Sequence, residues 1–507
     1  MTSRSRRALA AAALVAFGAA GAGCGAATEA AHHDHHAAAA SAAAWRPKAG
    51  LALRDPRQLY ARDGVLKVDL TAARGRIVVS GSSVVAQPFN GQFVGPTLHV
   101  RPGDTIEATI HNKTDAQTNI HYHGLHVSPT GLSDNVFRTF EPGSRSRSVV
   151  RVPADHDTGT FWYHVHFHGL SEGQLAGGLS GLLIVDGLER LLPAELQGVP
   201  QRQLAIRNLE LVRPDTVATL GRDVSPGKRA PQLVNGLLRP ALTLRSGATE
   251  LWRLANVGPD AFYDVSLEGH RLTVIAEDGS PVWTVRSHAR LLIPPGKRFD
   301  VLVQGSAKPG SYRLLAHRYD GFAPQPTTSL ATVTVTGPAV AVPPLALPRT
   351  LPTGTTRLDD ATIARRRRFV FSFGRGRTFR ALINGKQFDP MAMPVAARLG
   401  TVEEWTLENT SDEDHPFHIH VNDFQVMSVN GKRYAADGLQ DVVTVDKLGG
   451  SVVIRNSFDD YSGHFVFHCH ILGHEDAGMM KTIEVLRRGQ QPTPPPMAGM
   501  KHHDHGM

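Results

Sequence analysis

The stretch Val402-Glu403-Glu404-Trp405-Thr406-Leu407 lies between Gly400 and Asn409. It puts Trp405 and Leu407 on one face of an extended chain and Glu404 and Thr406 on the other, so it reads as a half-buried β-strand. The same frame occurs twice more. Thr249-Glu250-Leu251-Trp252-Arg253-Leu254 lies between Gly247 and Asn256, and a third interval of nine residues runs from Gly103 to Asn112. Working outward, each frame is preceded by Asn-Gly and then Pro: Asn90-Gly91 and Pro96, Asn235-Gly236 and Pro240, Asn384-Gly385 and Pro390. Successive Asn-Gly pairs are 145 and 149 residues apart, a domain-sized period. A chain of 507 residues has room for about three domains of roughly 150 residues. Helical periodicity is scarce, turns are frequent and strands are short, so the expected fold is all-β, with three consecutive β-sandwich domains.

Composition supplies the boundaries and excludes some functions. The 54 basic and 46 acidic residues are interspersed, so the net charge of +8 marks solubility and no nucleic-acid partner is expected. Behind Arg6-Arg7, thirteen apolar residues from Ala8 to Ala20 are too few to cross a bilayer, which takes about 20, but suit an export signal. Gly21-Ala22-Gly23-Cys24 resembles a bacterial lipoprotein signal, with Gly21 where Leu is usual. Residues 1–23 are therefore expected to be a signal peptide. Cys24 is the expected lipid anchor, with simple cleavage nearby as the alternative. The paired arginines resemble a twin-arginine signal as much as an ordinary basic region. The expected location is the cell envelope, on the outer face of the membrane, or secreted.

The remaining segments are expected as follows: 24–44 disordered and His/Ala-rich, 45–187 the first domain, 188–337 the second, 338–365 a Pro-rich linker, 366–488 the third domain, and 489–507 a disordered Pro/Met/His tail. The tails, with His32-His33-Asp34-His35-His36 and with His502, His503 and His505, read equally as metal capture or as solvated flanks. The basic run from Arg365 to Arg368 reads as a solvated strand edge.

Two Cys against 26 His point to metal. The repeat sets the histidines in register. Eighteen and twenty residues past the aligned Gly stand His121 and His123 in the first copy, His418 and His420 in the third, but Val265 and Leu267 in the second. Five and seven residues past Gly159 and Gly463 stand His164 and His166, and His468 and His470; past Gly310 stand Leu315 and His317. The outer copies each bring four His, and the middle copy reads as a spacer without metal. Each His-x-His offers two imidazoles to one face of a strand, so eight His from two domains can enclose a multi-metal cluster. Cys469, between His468 and His470, points the other way. There it can meet His415 and His474 in the His₂Cys arrangement of a blue copper site, with Met479 as the weak axial ligand and Met480 as its alternative. His126, His168 and His317 fill no required position and are expected to be structural or to support ligands.

Four segments taken together, His121-Tyr122-His123-Gly124, Trp162-Tyr163-His164-Val165-His166, His415-Pro416-Phe417-His418-Ile419-His420 and His468-Cys469-His470-Ile471-Leu472-Gly473-His474 with Met479, resemble the copper signatures of three-domain bacterial multicopper oxidases, the laccase group. The resemblance runs from about Trp45 to Leu486 and implies cupredoxin-like Greek-key sandwiches. It implies four copper ions: type 1 on His415, Cys469, His474 and Met479; type 2 on His121 and His418; and a type 3 pair on His123, His164, His166, His420, His468 and His470. Every position is filled, unlike in family members that have lost copper. The implied reaction is one-electron oxidation of a reductant coupled to four-electron reduction of dioxygen to water, in a chain expected to be a monomer. Phenols or aromatic amines are the first substrate class. Cuprous ion is the second, lowered because no Met lies between Met1 and Met391. A non-catalytic copper-binding lipoprotein is the third reading. Proton delivery needs acids near the cluster: Glu475 matches an acid of related bacterial enzymes, and Asp134 is a looser match. Asp412-Glu413-Asp414, just before His415, reads either as a loop or as a patch that attracts cationic substrates.

Overall fold

In each copy the Asn of the repeat acts as a clamp. Asn112, Asn256 and Asn409 are fully buried at the ends of the strands Thr105–Lys113, Thr249–Asn256 and Thr401–Asn409. Each Nδ2 donates to two carbonyls, one a few residues on and one across the sandwich: Ala116 and Phe140, Ala261 and Ile293, Glu413 and Val445. Each Oδ1 accepts the N–H two residues ahead, from Thr114, Gly258 and Ser411. The Asn-Gly pairs are equally uniform. Asn90, Asn235 and Asn384 adopt φ of 51°, 52° and 53°, which Asn tolerates, and their side chains staple the turn to an early strand of each copy.

These contacts come from a computed structural model that describes residues 44–224, 230–376 and 378–496. The signal peptide, Cys24, the His-rich segment up to residue 43 and the tail from 497 lie outside the described residues. No helix among the described residues is long and apolar enough to cross a membrane.

The fold is three cupredoxin-like Greek-key sandwiches. The first copy pairs a three-stranded with a five-stranded sheet, the second a seven- with a five-stranded, the third a six- with a five-stranded. In all three, an early strand lies parallel to the Gly-to-Asn strand: Val65–Ala73, Gln201–Asn208 and Ile363–Phe373. The last strand (Ser180–Val185, Thr328–Thr336, Met480–Leu486) lies parallel to an early one in the opposite sheet. Parallel neighbours need crossovers between sheets, and this closes each Greek key.

Particular segments differ from expectation. Residues 45–53 run along the second copy: Ala49 and Ala52 bridge to Leu238 and Ala241. A further four-stranded sheet joins Gly75–Val79 and Ser82–Ala86 of the first copy to Leu211–Arg213 and Thr216–Val217 of the second. The strand Ile363–Phe373 begins inside the stretch read as linker. Its arginines pair with the neighbouring strand, Arg366 with Glu404, Arg367 with Glu403 and Arg368 with Glu408; Arg366 and Arg368 stay solvated, as expected, and only Arg367 is largely withdrawn from water. Buried Glu403, besides its pairing with Arg367, accepts from Trp405 Nε1 at 2.8 Å, and Glu250 takes the same bond from Trp252 at 2.9 Å.

Replacing Asn112 by Ala removes the two bonds its Nδ2 donates, leaves the buried Thr114 N–H without its acceptor and opens a small void at the strand end. The expected cost is about 2–3 kcal/mol, seen as a lower denaturation midpoint. A midpoint equal to the parent's would show that the clamp is not needed.

Candidate metal centre

The first and third copies present their His-x-His strands to each other. His121–His123 forms the edge of its sheet beside Gly159–His164, with His121 opposite His164. His415–Ile419 lies beside Gly463–Cys469, with His418 opposite His468. Across the seam the imidazoles stack in pairs, His121 on His420 and His123 on His418, each with centroids 3.8 Å apart. His164, His166, His468 and His470 close the ring edge-on or tilted. In the middle copy the strand Tyr263–Leu267 puts Val265 and Leu267 into the apolar core instead.

The outer hydrogen bonds decide which nitrogen faces inward. Nδ1 of His121 lies 2.9 Å from Asp134, and Nδ1 of His164, His418 and His468 face the carbonyls of Val165, Asp441 and Cys469 at 2.8, 2.8 and 3.0 Å. Each is thereby held with its Nε2 pointing into the cluster. Nε2 of His121, His164 and His418 and both nitrogens of His420 have no hydrogen-bond partner although buried. Burial, reinforced by the neighbouring imidazoles, holds seven of the eight pKa values well below the ordinary histidine range. His164 is pushed down to about 3. Neutral imidazoles with lone pairs converging in a buried site are costly unless a cation takes those lone pairs. Three overlapping donor groups meet that description: His121 with His123 and His164, His121 with His418 and His420, and His166 with His420 and His468. The residues present fit metal ions.

A second donor group sits on the other face of the same strand. Cys469 Sγ lies 3.4 Å from His415 Nδ1 and 3.7 Å from His474 Nδ1, and the two nitrogens are 3.3 Å apart. One ion bonded to nitrogen and sulfur at roughly 2.0–2.3 Å needs donors at about these spacings. Nε2 of His415 is held by Ser411 Oγ at 2.8 Å, and Nε2 of His474 lies 3.2 Å from Glu413. Burial pushes the Cys469 thiol up, so a bound cation is what would favour the thiolate. Met479 is buried in the same apolar cluster as Cys469, and its carbonyl accepts the Cys469 N–H. Met480 instead pairs with His468 and packs on Val136, Phe137 and Val466.

Both candidate acids lie beside the cluster, not on the surface. Asp134 also accepts the Tyr122 N–H, and burial pushes its carboxyl up to about 8. Glu475 lies 3.2 Å from His468 Nδ1 and 3.6 Å from His166 Nδ1, and accepts from Ser171 Oγ at 2.9 Å. The acidic trio is not one patch. Asp414 is buried, bonded to the Tyr319 hydroxyl and the Lys447 N–H, while Asp412 and Glu413 reach solvent. His126 binds Asp460 and the Val421 carbonyl, and His317 binds Ser266; neither joins a donor group.

Sequence reasoning missed the contribution of the middle copy. Gly296 abuts the rings of His123 and His470, where a Cβ would come within 3.1 Å of both. Arg298 forks onto Asp441, whose carboxylate is 3.3 Å from His123 Nε2. Neither Arg298 nor Asp441 lies in a His motif, and the only sequence signal is the turn Pro294-Pro295-Gly296 before the arginine.

Family models described as multicopper oxidase match residues 72–190, 200–337 and 352–488. The multicopper oxidase mco of Staphylococcus haemolyticus is 26% identical over 407 residues, covering 78% of this chain and 83% of its own. Among solved structures, the laccase-like multicopper oxidase CueO of Ochrobactrum sp. superposes with a TM-score of 0.72 at 26% identity, covering 86% of this chain and 100% of that one. A multicopper oxidase of Campylobacter jejuni described as a metallo-oxidase shares the fold with a TM-score of 0.74 at 24% identity, covering 87% of this chain and 96% of that one. With three consecutive family matches laid over the sandwiches that build these two donor groups, the chain belongs to the multicopper oxidase family.

Proposed function

We propose that the protein is an oxidase that couples one-electron oxidation of a reductant to four-electron reduction of dioxygen to water. The observation that carries this reading is the adjacency of the two donor groups: Cys469 belongs to one, and its neighbours His468 and His470 belong to the other. In this reading His415, Cys469, His474 and Met479 hold type 1 copper, and His121 and His418 hold type 2. His123, His164, His166, His420, His468 and His470 hold the type 3 pair. Copper bound there supplies the single-electron chemistry. The chain supplies the rest. The Cys469 backbone is a covalent route between the groups, burial excludes water, and Asp134 and Glu475 hold protons at carboxyls beside His121 and beside His468 and His166.

The rim supports an aromatic reductant. Around the His474 ring stand Phe322, Phe373 and Phe379, with centroids 5.2 to 5.7 Å away, and Phe379 is exposed. Phenols and aromatic amines are therefore the first substrate class. Cuprous ion is the alternative, supported by the half-exposed Glu413 beside His474. A copper-binding lipoprotein without turnover is the least favoured reading, because both donor groups are complete. Export and lipid anchoring at Cys24 remain part of the proposal and rest on the signal sequence alone. The domain limits 45–187, 188–337 and 366–488 and the monomeric state are likewise proposed from the sequence, with the start of the third domain moved back to its first strand at Ile363.

Replacing Cys469 by Ser is expected to abolish the blue absorption while most copper stays bound, since the cluster ligands are imidazoles; unchanged visible absorption would overturn the assignment. His418→Ala should keep the blue band and lose oxygen consumption.

Exchanging Glu475 for Gln or Asp134 for Asn should slow reoxidation by oxygen by about 10²-fold, in stopped-flow traces where the blue centre is still reduced at the parental rate. Parental reoxidation in both variants would remove these acids from proton delivery.

Neutralising the two acids that reach solvent, as Asp412→Asn with Glu413→Gln, should erase any advantage in kcat/KM of cationic amines or cuprous ion over anionic dyes. It should also flatten the salt dependence of that advantage. A preference that survives would place substrate selection elsewhere on the rim.

A further inference from the structure

The middle copy holds none of the candidate ligands, yet one of its side chains ties all three sandwiches together beside the cluster. Arg298 is fully buried and uses all five of its N–H donors. Nε donates to the Thr160 carbonyl of the first copy at 3.1 Å. Nη1 donates to the Gly296 carbonyl at 3.1 Å and to Asp441 Oδ1 at 2.7 Å. Nη2 donates to the Asp278 carbonyl at 2.5 Å and to Asp441 Oδ2 at 2.8 Å. Gly124, just after His123, has no Cβ to block this fork; one built there would fall 2.3 Å from Nη2 and 2.5 Å from Asp441 Oδ2.

Asp441, in the third copy, is gripped from a second side. Asp278 Oδ2 accepts the backbone N–H groups of Asp441 and Val442, both at 3.1 Å, and also Lys297 Nζ at 2.9 Å. Asp441 in turn meets two imidazoles from different copies. Its carbonyl accepts from His418 Nδ1 at 2.8 Å, and its Oδ1 lies 3.3 Å from His123 Nε2. The first contact leaves His418 Nε2 facing the cluster. The second leaves His123 Nδ1 facing it, 3.3 Å from His470 Nε2. His123 therefore presents the opposite nitrogen from His121, His164 and His418.

We infer that Arg298 and Asp278 of the middle copy are positioning residues for oxygen reduction: they fix Asp441, and through it set the tautomer and orientation of His123 and His418. A lysine cannot replace the arginine, because an ammonium has three donors and no planar fork. The inference rests on the copper reading above.

The test uses copper-loaded, full-length protein and three measurements: the blue band, the electron paramagnetic resonance signal of type 2 copper, and the rate of reoxidation by oxygen. In Arg298→Lys and in Asp441→Asn the blue band should be parental, the type 2 signal altered and reoxidation slowed by about tenfold or more. The double variant Arg298→Gln with Asp441→Asn leaves no unpaired buried charge and should show the same changes, so the test does not depend on the single variants folding. Arg207→Lys is the matched control. Arg207 is another fully buried arginine at a seam between copies, bonded to the carbonyls of Leu175 and Ala176 and touching no cluster residue. It should lower the unfolding midpoint and leave the type 2 signal and reoxidation parental. Parental signals and reoxidation in the Asp441 and Arg298 variants would overturn the inference, as would equal changes in Arg207→Lys. Loss of the blue band and type 2 signal in the parent itself would overturn the copper reading instead.

Discussion

Eight buried, uncharged imidazoles converge on one space, and the outer acceptors of most of them leave the inward nitrogens without protons to place between them. Burial disfavours the imidazolium, and each added proton would repel the next, so the cavity stays neutral and rich in lone pairs. Such an arrangement is stable only with a cation at its centre, and it has to be held open by contacts from outside. Those contacts are the carbonyls of Val165, Asp441 and Cys469 and the carboxyl groups of Asp134, Asp441 and Glu475. Much of the surrounding structure serves to keep these acceptors in place.

This need explains why three sandwiches persist although only two carry ligands. The middle copy keeps the Asn clamp and the Asn-Gly staple of both neighbours and the Trp-to-Glu bond of the third, so it folds by the same local rules. Val265 and Leu267, at the positions of the missing histidines, complete an apolar core that needs no metal. What it gives the cluster is a wall, Gly296, and a buried charged brace, Arg298 with Asp278. Removing one partner of such a brace leaves an unpaired buried charge, which is why these positions are more demanding than their distance from any motif suggests.

The Cys469 group obeys different physics. Its donors come from a strand, the end of a second strand and the short helix Leu472–Asp476, and its outer histidine edge meets aromatic rings and Glu413 near solvent. The cluster is closed and polar inside, whereas this group is covered by apolar side chains on a rim that a substrate can reach. Placing both on opposite faces of one strand keeps them chemically separate and covalently joined.

The sequence by itself determined the threefold β architecture, because strand alternation and the Asn-Gly, Gly and Asn positions are local requirements of chain conformation and buried hydrogen bonding. It also determined the histidine register, since side chains two apart on a strand share a face whatever surrounds them. Tertiary structure alone decided the rest. Asp414 turns inward to Tyr319 while Asp412 stays in water, although they lie two residues apart in one acidic run. Met479 joins Cys469 and Met480 does not: Met479 stands just before the strand Met480–Leu486 with its carbonyl on the Cys469 N–H, whereas the register of that strand sets Met480 opposite His468. Arg298 and Asp441, 143 residues apart, meet only when three sandwiches close on one another. No local pattern encodes that meeting, because a buried ion pair depends on what the rest of the chain excludes from water.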